Sequence, residues 1–352
     1  DQFPYVTAAG LNYDVGDYDA VMDRLEHHAD LKGFAKRRKK SEAKGKLRGL
    51  GINTYIEACG IAPSNLIGTL GARVGLYDAA TIRVNATGNI SVMVGAHSHG
   101  QGHETAFPQI VADLLGVDPN NVEIVHGDTS KIPFGMGTYG SRSLAVCGSA
   151  IVRGIEIIFS KGKKIAAHMM DTTDDKVDFD EGVFSVRGTN KTVSFGDVAL
   201  KAYIPHDFPI EDIEPGLEET AFYDPQNFTY PAGAYACEVE VDPETGQVTI
   251  ESFTAADDFG NIINPMIVEG QVHGGLAQGI GQALLEGCVY DGDGQLISAS
   301  YMDYTMPRAA DLPSFIVDHT VRTPSTDNPL GVKGCGEAGA IGSPPTLSLI
   351  HI

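Results

Sequence analysis

Between residues 17 and 46, apolar Val21, Met22, Leu25 and Ala29 recur at intervals of three and four with no proline among them. That spacing predicts a helix from Asp17 to about Lys46. Asp17 and Asp19 suit its start, where negative side chains meet the positive end of the helix dipole. The pattern then shortens to β-rich runs in LRGLGINTYIEA, residues 47–58. In TIRVNATGNISVMVGAHSH, residues 81–99, apolar and polar positions alternate on both sides of Ala86-Thr87-Gly88-Asn89. This predicts a hairpin whose second strand runs on to Ser98.

Helical spacing returns in HETAFPQIVADLLG, with Ile110, Val111, Leu114 and Leu115 on one face and Gly116 as the stop. NNVEIVHGD reads as a strand, and an apolar helix runs from Leu144 to about Phe159. The second half repeats the style. YACEVEVDPETGQVTIESFTAADD is a hairpin around Asp242–Gly246. NPMIVEGQVHGGLAQGIGQALLEG is a glycine-rich helix, and GVKGCGEAGAIGSPP, residues 331–345, is a final glycine loop. The plainest boundary lies at Thr189 to Asp197. Hairpins and helices without regular βαβ alternation make the chain α+β.

Composition narrows the function. A length of 352 residues suits two domains or one bilobal one. A net charge of −21 excludes a nucleic-acid partner, which needs a basic surface. One basic island, Lys32 to Gly49, reads first as a solvated helix face and second as a docking site for an acidic partner subunit. The five cysteines are far apart with no Cys-x-x-Cys. This argues against a disulfide framework or a self-contained zinc or iron–sulfur site, and for a reducing, cytoplasmic compartment. No apolar run is expected to reach transmembrane length. The chain opens without Met, so its true start is expected to lie upstream, and LSLIHI, residues 347–352, reads as a non-native tail.

Four stretches could carry chemistry. His97, His99 and His103 have a His-x-His-x3-His spacing, and histidines with an open position are how catalytic zinc is held. No His-Glu-x-x-His motif supports that reading. The same stretch is also a Gly100-Gln101-Gly102 turn before a helix. Free N–H groups at a helix start favour anionic or polar ligand atoms, and a glutamine can match a heterocycle edge. GTYGSRS, Gly137 to Ser143, offers hydroxyls at Thr138, Ser141 and Ser143 with the Arg142 guanidinium, a phosphate receptor without the Gly-Lys-Ser/Thr of a P-loop. GQVHGGLAQG sets Gln271 and Gln278 among small residues, which serve either a ligand or tight helix packing. Glu337 stands among Gly331, Gly334, Gly336, Gly339 and Gly342. It is an exposed loop acid or, if desolvated, a general base.

In this order and spacing the four stretches, joined by EVEVDPETGQVTIESFTAADDFGNIINP, resemble the large molybdopterin-binding subunit of the xanthine dehydrogenase family. Within it the likeness is to the aerobic carbon-monoxide dehydrogenase large-chain group, from about Phe3 to Pro345. The resemblance implies a bilobal molybdenum-cofactor-binding α+β fold. Residues 1–46 would be a helical tail of a preceding cofactor domain, 47–195 a first lobe, and 196–346 a second lobe carrying the catalytic Glu loop. It implies molybdopterin, in the cytosine dinucleotide form. Gly100, Gln101, Gly102, His103 and Gln271 would lie on the pterin, and Thr138, Gly140, Ser141, Arg142 and Ser143 at the phosphates. Glu337 matches the catalytic base, and no side chain would bind the metal. Electrons from a small-molecule substrate would pass to a 2Fe-2S small subunit and an FAD medium subunit, in a dimer of heterotrimers. Cys335, where the family more often has Val, reads as a small buried hydrophobe. The residues themselves supply polar loops and one base but no redox group, as expected where a cofactor carries the chemistry. The rival readings are a metal-dependent hydrolase built on His97, His99 and His103, and a non-catalytic assembly module.

Overall fold

A computed structural model describes residues 2–204 and 206–348. Two short strands, β1 (Tyr5–Val6) and β2 (Asn12–Tyr13), precede α1 (Tyr18–Ala29), whose N-cap Asp17 accepts the Ala20 N–H at 3.0 Å. The single helix expected to Lys46 breaks at Asp30, which turns left-handed (φ 45°) and caps a short 3-10 turn before α2 (Phe34–Glu42). The apolar stripe ends there: α1 buries Val21 and Leu25, whereas α2 buries only Ser41. The chain continues through β3 (Leu47–Ile56), α3 (Ser64–Thr69), β4 (Asp78–Val84), β5 (Ile90–Val94), α4 (His103–Leu115) and β6 (Val122–Val125). A π-helical turn, Ser143–Gly148, runs into α5 (Ser149–Met169). Then come β7 (Val177–Asp180), β8 (Val183–Val186), β9 (Thr192–Ser194), α6 (Phe195–Ala202) and β10 (Leu217–Tyr223). The last elements are β11 (Ala232–Val241), β12 (Val248–Asp258), α7 (Pro265–Leu284), β13 (Phe315–Val321) and α8 (Ala338–Leu347).

The fold is α+β, as expected, and both hairpins form: β4 with β5, and β11 with β12. The second strand of the first hairpin stops at Val94 rather than Ser98. There Gly95 meets Gly135 backbone to backbone, and a Cβ on Gly95 would sit 2.5 Å from Gly135 Cα. The apolar helix is longer than expected. Ser143–Met169 spans 27 residues, long and apolar enough to cross a bilayer, which corrects the reading that no run reaches that length. It is a core helix, burying Ile151, Ile155, Ile158 and Ile165 and packing on β4 and β10. The expected closing loop turns helical at Ala338 and carries Pro344 and Pro345 within α8. Leu347, the first residue of the expected tail, ends that helix and packs on the core. Residues 349–352 lie outside the described residues.

The chain divides into two units, and the division cuts across the expected lobes 47–195 and 196–346. Unit 1 comprises Asp1–Cys59, Thr229–Thr326 and Gly331–Ile352; unit 2 comprises Gly60–Phe228 and Asp327–Leu330. Long-range strand pairing decides this. β3 pairs along its length with β11, and β10 pairs with β4. The expected boundary at 189–197 falls inside unit 2, where β9 and the start of α6 complete a small β7-β8-β9 sheet beside α5.

In unit 1 the sheet order is β13-β12-β11-β3. Alternation along β11 sends Tyr235 and Cys237 to one face, packed with Tyr55, Phe253, Val272 and Leu276, and Ala234 and Ala236 to the other, under Val21 and Leu25 of α1. Among the described residues, four cations of the basic island are paired within this unit: Arg37 and Arg48 on Glu238, Lys46 on Asp242 and Arg38 on Glu42. α7, capped by the Asn264 side chain on the Ile267 N–H, runs alongside α8. A Cβ on Gly275 would sit 2.8 Å from Gly339 Cα, and one on Gly279 2.8 Å from Pro344 Cδ. Gly275 and Gly279 are therefore packing residues. Gly275→Val is expected to destabilise unit 1 by about 1–3 kcal/mol through overpacking. At Gly274 no atom lies within 4 Å of an added Cβ, so Gly274→Ala should be neutral or slightly stabilising. Urea unfolding midpoints of the two variants check this contrast.

In unit 2 the sheet order is β10-β4-β5-β6, with β5 and β6 parallel and the other pairs antiparallel. α4 packs against β6 and α5, and ends at Gly116 in the left-handed conformation the sequence called for.

Candidate functional site

Unit 2 carries both glycine loops. Gly100 (φ 95°) and Gly102 (φ 85°) take left-handed backbone that favours glycine, and Gly102, without a side chain, leaves the start of α4 uncapped. Gln101 folds back on its own loop: its Oε1 accepts the His99 N–H, and its Nε2 donates to the His97 carbonyl at 3.4 Å. His103 is buried and stacks on Phe107 (4.9 Å between centroids), and its Nδ1 has no hydrogen-bond partner among the described residues. Burial pushes its pKa down to about 4, so the ring is neutral at pH 7.

The histidine-metal reading does not survive this geometry. His97 and His99 are exposed beyond the end of β5 while His103 turns into the core. Among the described residues no three His, Cys, Asp or Glu side chains are arranged to hold a metal ion. His97 instead stands 5.4 Å from the ring of His126, whose Nε2 meets Glu104 Oε1 at 2.9 Å.

The second loop is tied to the first. The His97 N–H donates to Thr138 Oγ1 at 3.2 Å, the Gly137 N–H donates to the Gly95 carbonyl at 3.2 Å, and the Thr138 and Ser143 hydroxyls meet at 2.8 Å. Gly140 (φ 57°) and Ser141 (φ 49°) form a left-handed turn. Arg142, expected at a phosphate, points the other way. It is fully buried and donates to Asp78 Oδ2 (3.0 Å) and to the carbonyls of Ile61 (2.6 Å), Leu76 (2.6 Å) and Gly137 (3.2 Å). Its fork geometry is used to hold the loop from beneath, which corrects its place in the phosphate set. Burial raises Asp78 to about 6, against the pull of Arg142.

Unit 1 carries the other expected residues. Glu337 is half-buried at the N-cap of α8, and its carbonyl accepts the Ile341 N–H at 3.0 Å. Since Gly275 meets Gly339 and Gly279 meets Ser343 and Pro344, the two helices run parallel. Cys335 packs on the core as expected, and burial pushes its thiol up to about 12; no disulfide joins any of the five cysteines, all of which are among the described residues. The loop that leads to Glu337 is anchored by Lys333, whose Nζ donates to Asp258 Oδ2 (2.9 Å) and Thr323 Oγ1 (2.7 Å) in a fully buried pair.

Two acids here carry no sequence motif. Asp257, 1% exposed, accepts from Tyr55 Oη (2.7 Å) and Tyr235 Oη (3.4 Å), and burial raises it to about 7. Glu57, just past β3, is raised to about 7 by burial and by the charge of Glu337, against a hydrogen bond with Cys59. Only the strand alternation of TYIEA could have placed Glu57 on the same face as Tyr55.

A molybdopterin cofactor-binding domain profile matches residues 24–313. The carbon monoxide dehydrogenase large chain of Hydrogenophaga pseudoflava is 41% identical over 353 residues, 99% of this chain and 43% of that one. The nicotine 6-hydroxylase large subunit of Paenarthrobacter nicotinovorans is 36% identical over 347 residues, 98% of this chain and 42% of that one. The crystal structure of a Cu,Mo-CO dehydrogenase superposes with a TM-score of 0.91 at 37% identity, over 99% of this chain and 44% of that one. The chain spans less than half the length of these relatives.

Proposed function

Since the chain belongs to the molybdopterin cofactor-binding family that includes the carbon monoxide dehydrogenase large chains, we propose that it forms the catalytic portion of a molybdenum hydroxylase large subunit. The reaction is oxidation of a small molecule at an electrophilic carbon. The observation that carries this reading is Glu337, a half-buried carboxylate at a helix start, on a loop that Lys333 anchors to β12 through a buried ion pair.

The residues of unit 2 fit such a cofactor. They offer an uncapped helix start, an amide at Gln101, paired hydroxyls at Thr138 and Ser143, and a buried Nδ1 on His103 with no protein partner. When bound, the group supplies the two-electron redox chemistry. Gln101 and the Gly100–His103 backbone hold its heterocycle. Thr138, Ser143 and the backbone of Gly140 and Ser141 receive its phosphates, with Arg142 supporting them from below. By the family resemblance, Gln271 is assigned to the pterin and the Glu337 carboxylate to taking the proton. The cofactor is the cytosine dinucleotide form. Electrons leave to an iron–sulfur subunit and an FAD subunit of a cytoplasmic dimer of heterotrimers.

The test is chemical analysis of the full-length protein from a host that makes the cofactor. Molybdenum and pterin are expected in equal amounts, and Gln101→Ala should lower both severalfold while sparing the fold, because the Gln101 side-chain hydrogen bonds lie within its own exposed loop. Protein that turns over substrate without either, or that carries zinc lost on His97→Ala, overturns the reading.

A further inference from the structure

We propose that Glu57 is a positioning residue for Glu337: a second carboxyl, built into the end of β3, that couples to the base so that the two hold their protons as a pair. The proposal rests on the reading of Glu337 as the base.

The placement follows from β3 and α8. Residues 51, 53, 55 and 57 share one face of the strand. Gly51 lies against the Thr346 carbonyl of α8, and Tyr55 joins the core beneath α7 and α8. The Glu57 N–H donates to the Pro231 carbonyl at 3.1 Å, one step beyond the Ile56–Ala232 pair, so the ladder and its alternation continue through Glu57. From Gly51 to Glu57 the strand advances about 20 Å. From Thr346 back to Glu337 the helix covers about 14 Å. The difference is within the combined reach of two glutamate side chains, so both carboxyls come to the same end of the unit.

The surroundings favour a coupled pair. Glu57 Oε2 is buried with no hydrogen-bond partner among the described residues, an arrangement that suits a carboxyl better than a carboxylate. The groups that act on Glu57 are Cys59 and Glu337, and Glu57 in turn acts on Tyr235 of β11 and on Cys335 ahead of α8. None of these is a cation. Burial and the charge of Glu337 raise Glu57 to about 7. Loss of the Glu57 proton is therefore a step that belongs to the pair. That step adds a negative charge beside the base, and like-charge repulsion makes the base a stronger proton acceptor.

The experiment is the pH dependence of kcat/KM of the full-length holoenzyme, with Glu57→Gln and Glu57→Asp beside wild type. Wild type should show a further rise through about pH 7, roughly threefold for a one-unit increase in base strength. Glu57→Gln should lose that step and Glu57→Asp should keep it. The shape of the profile does not depend on how much of a variant folds. In the cofactor-free full-length chain, infrared titration should show a carboxyl C=O band that disappears near pH 7 and is missing in Glu57→Gln. A Glu57→Gln profile superimposable on wild type, or an unchanged band, overturns the proposal. If Glu337→Gln is inactive while Glu57→Gln keeps the step, only the coupling fails; if Glu337→Gln turns over normally, the base reading itself fails.

Discussion

Glu337→Gln is expected to lower kcat by roughly 10²- to 10⁴-fold, the usual contribution of a positioned proton acceptor. Molybdenum and pterin content of the full-length enzyme should stay at wild-type levels. The separation follows from where Glu337 sits. Its side chain makes no capping bond at the start of α8, so an isosteric amide leaves the helix as it was. The loop before it is fixed by Lys333 and by the Lys333 N–H, which donates to the Phe259 carbonyl at 2.9 Å, and neither involves the carboxylate. The substitution removes a proton acceptor and leaves both anchors in place. Single-turnover rates with metal and pterin analysis check it, and turnover near wild type with the cofactor bound would refute the role.

Arg142→Ala should act on the fold instead. Removing one partner of a buried ion pair costs about 3–5 kcal/mol, because the other charge is left uncompensated. Here the orphan is Asp78, fully buried at the start of β4, and three backbone carbonyls lose their donor as well. The pH dependence has a definite sign. Asp78 in the folded chain is already raised to about 6, so its contribution to stability is fully present below the ordinary aspartate range and is lost as pH rises through about 6. Without Arg142 the acid moves higher still. The deficit of Arg142→Ala should therefore grow from pH 5 to pH 8, and Asp78→Asn in the same chain should recover part of it. Urea unfolding at the two pH values measures both effects. A pH-independent deficit would show that the ion pair is not its source.

The features legible in the sequence are the ones set by neighbours in sequence. The start of α4 after Gly102, its stop at Gly116 and the turn between β4 and β5 follow local rules, and the structure has all three. The family was legible because four glycine-rich stretches keep their order. What failed depended on distant partners. Arg142 was placed at a phosphate because its loop carries hydroxyls and glycines, yet Asp78, on a different strand, decides which way the guanidinium turns. For Glu57 the strand alternation could give a face but no partner, since its neighbour Glu337 is reached only through the crossing of α8 over β3. The lobes were misdrawn for the same reason, because strand pairing, not sequence continuity, assigns β3 and β10 to their units.

That pairing bears on how the chain is made. Unit 2 is an insertion within unit 1, falling between β3 and the strand it pairs with. During synthesis β3 must wait, edge unpaired, until the whole of unit 2 and then β11 have emerged, and the helix headed by Glu337 comes later still. Unit 2, nearly contiguous, can form first and shelter its long apolar helix. Slow translation or a scarcity of chaperones should therefore harm unit 1 before unit 2, and the base-bearing helix arrives after the strands of unit 1 that it packs on.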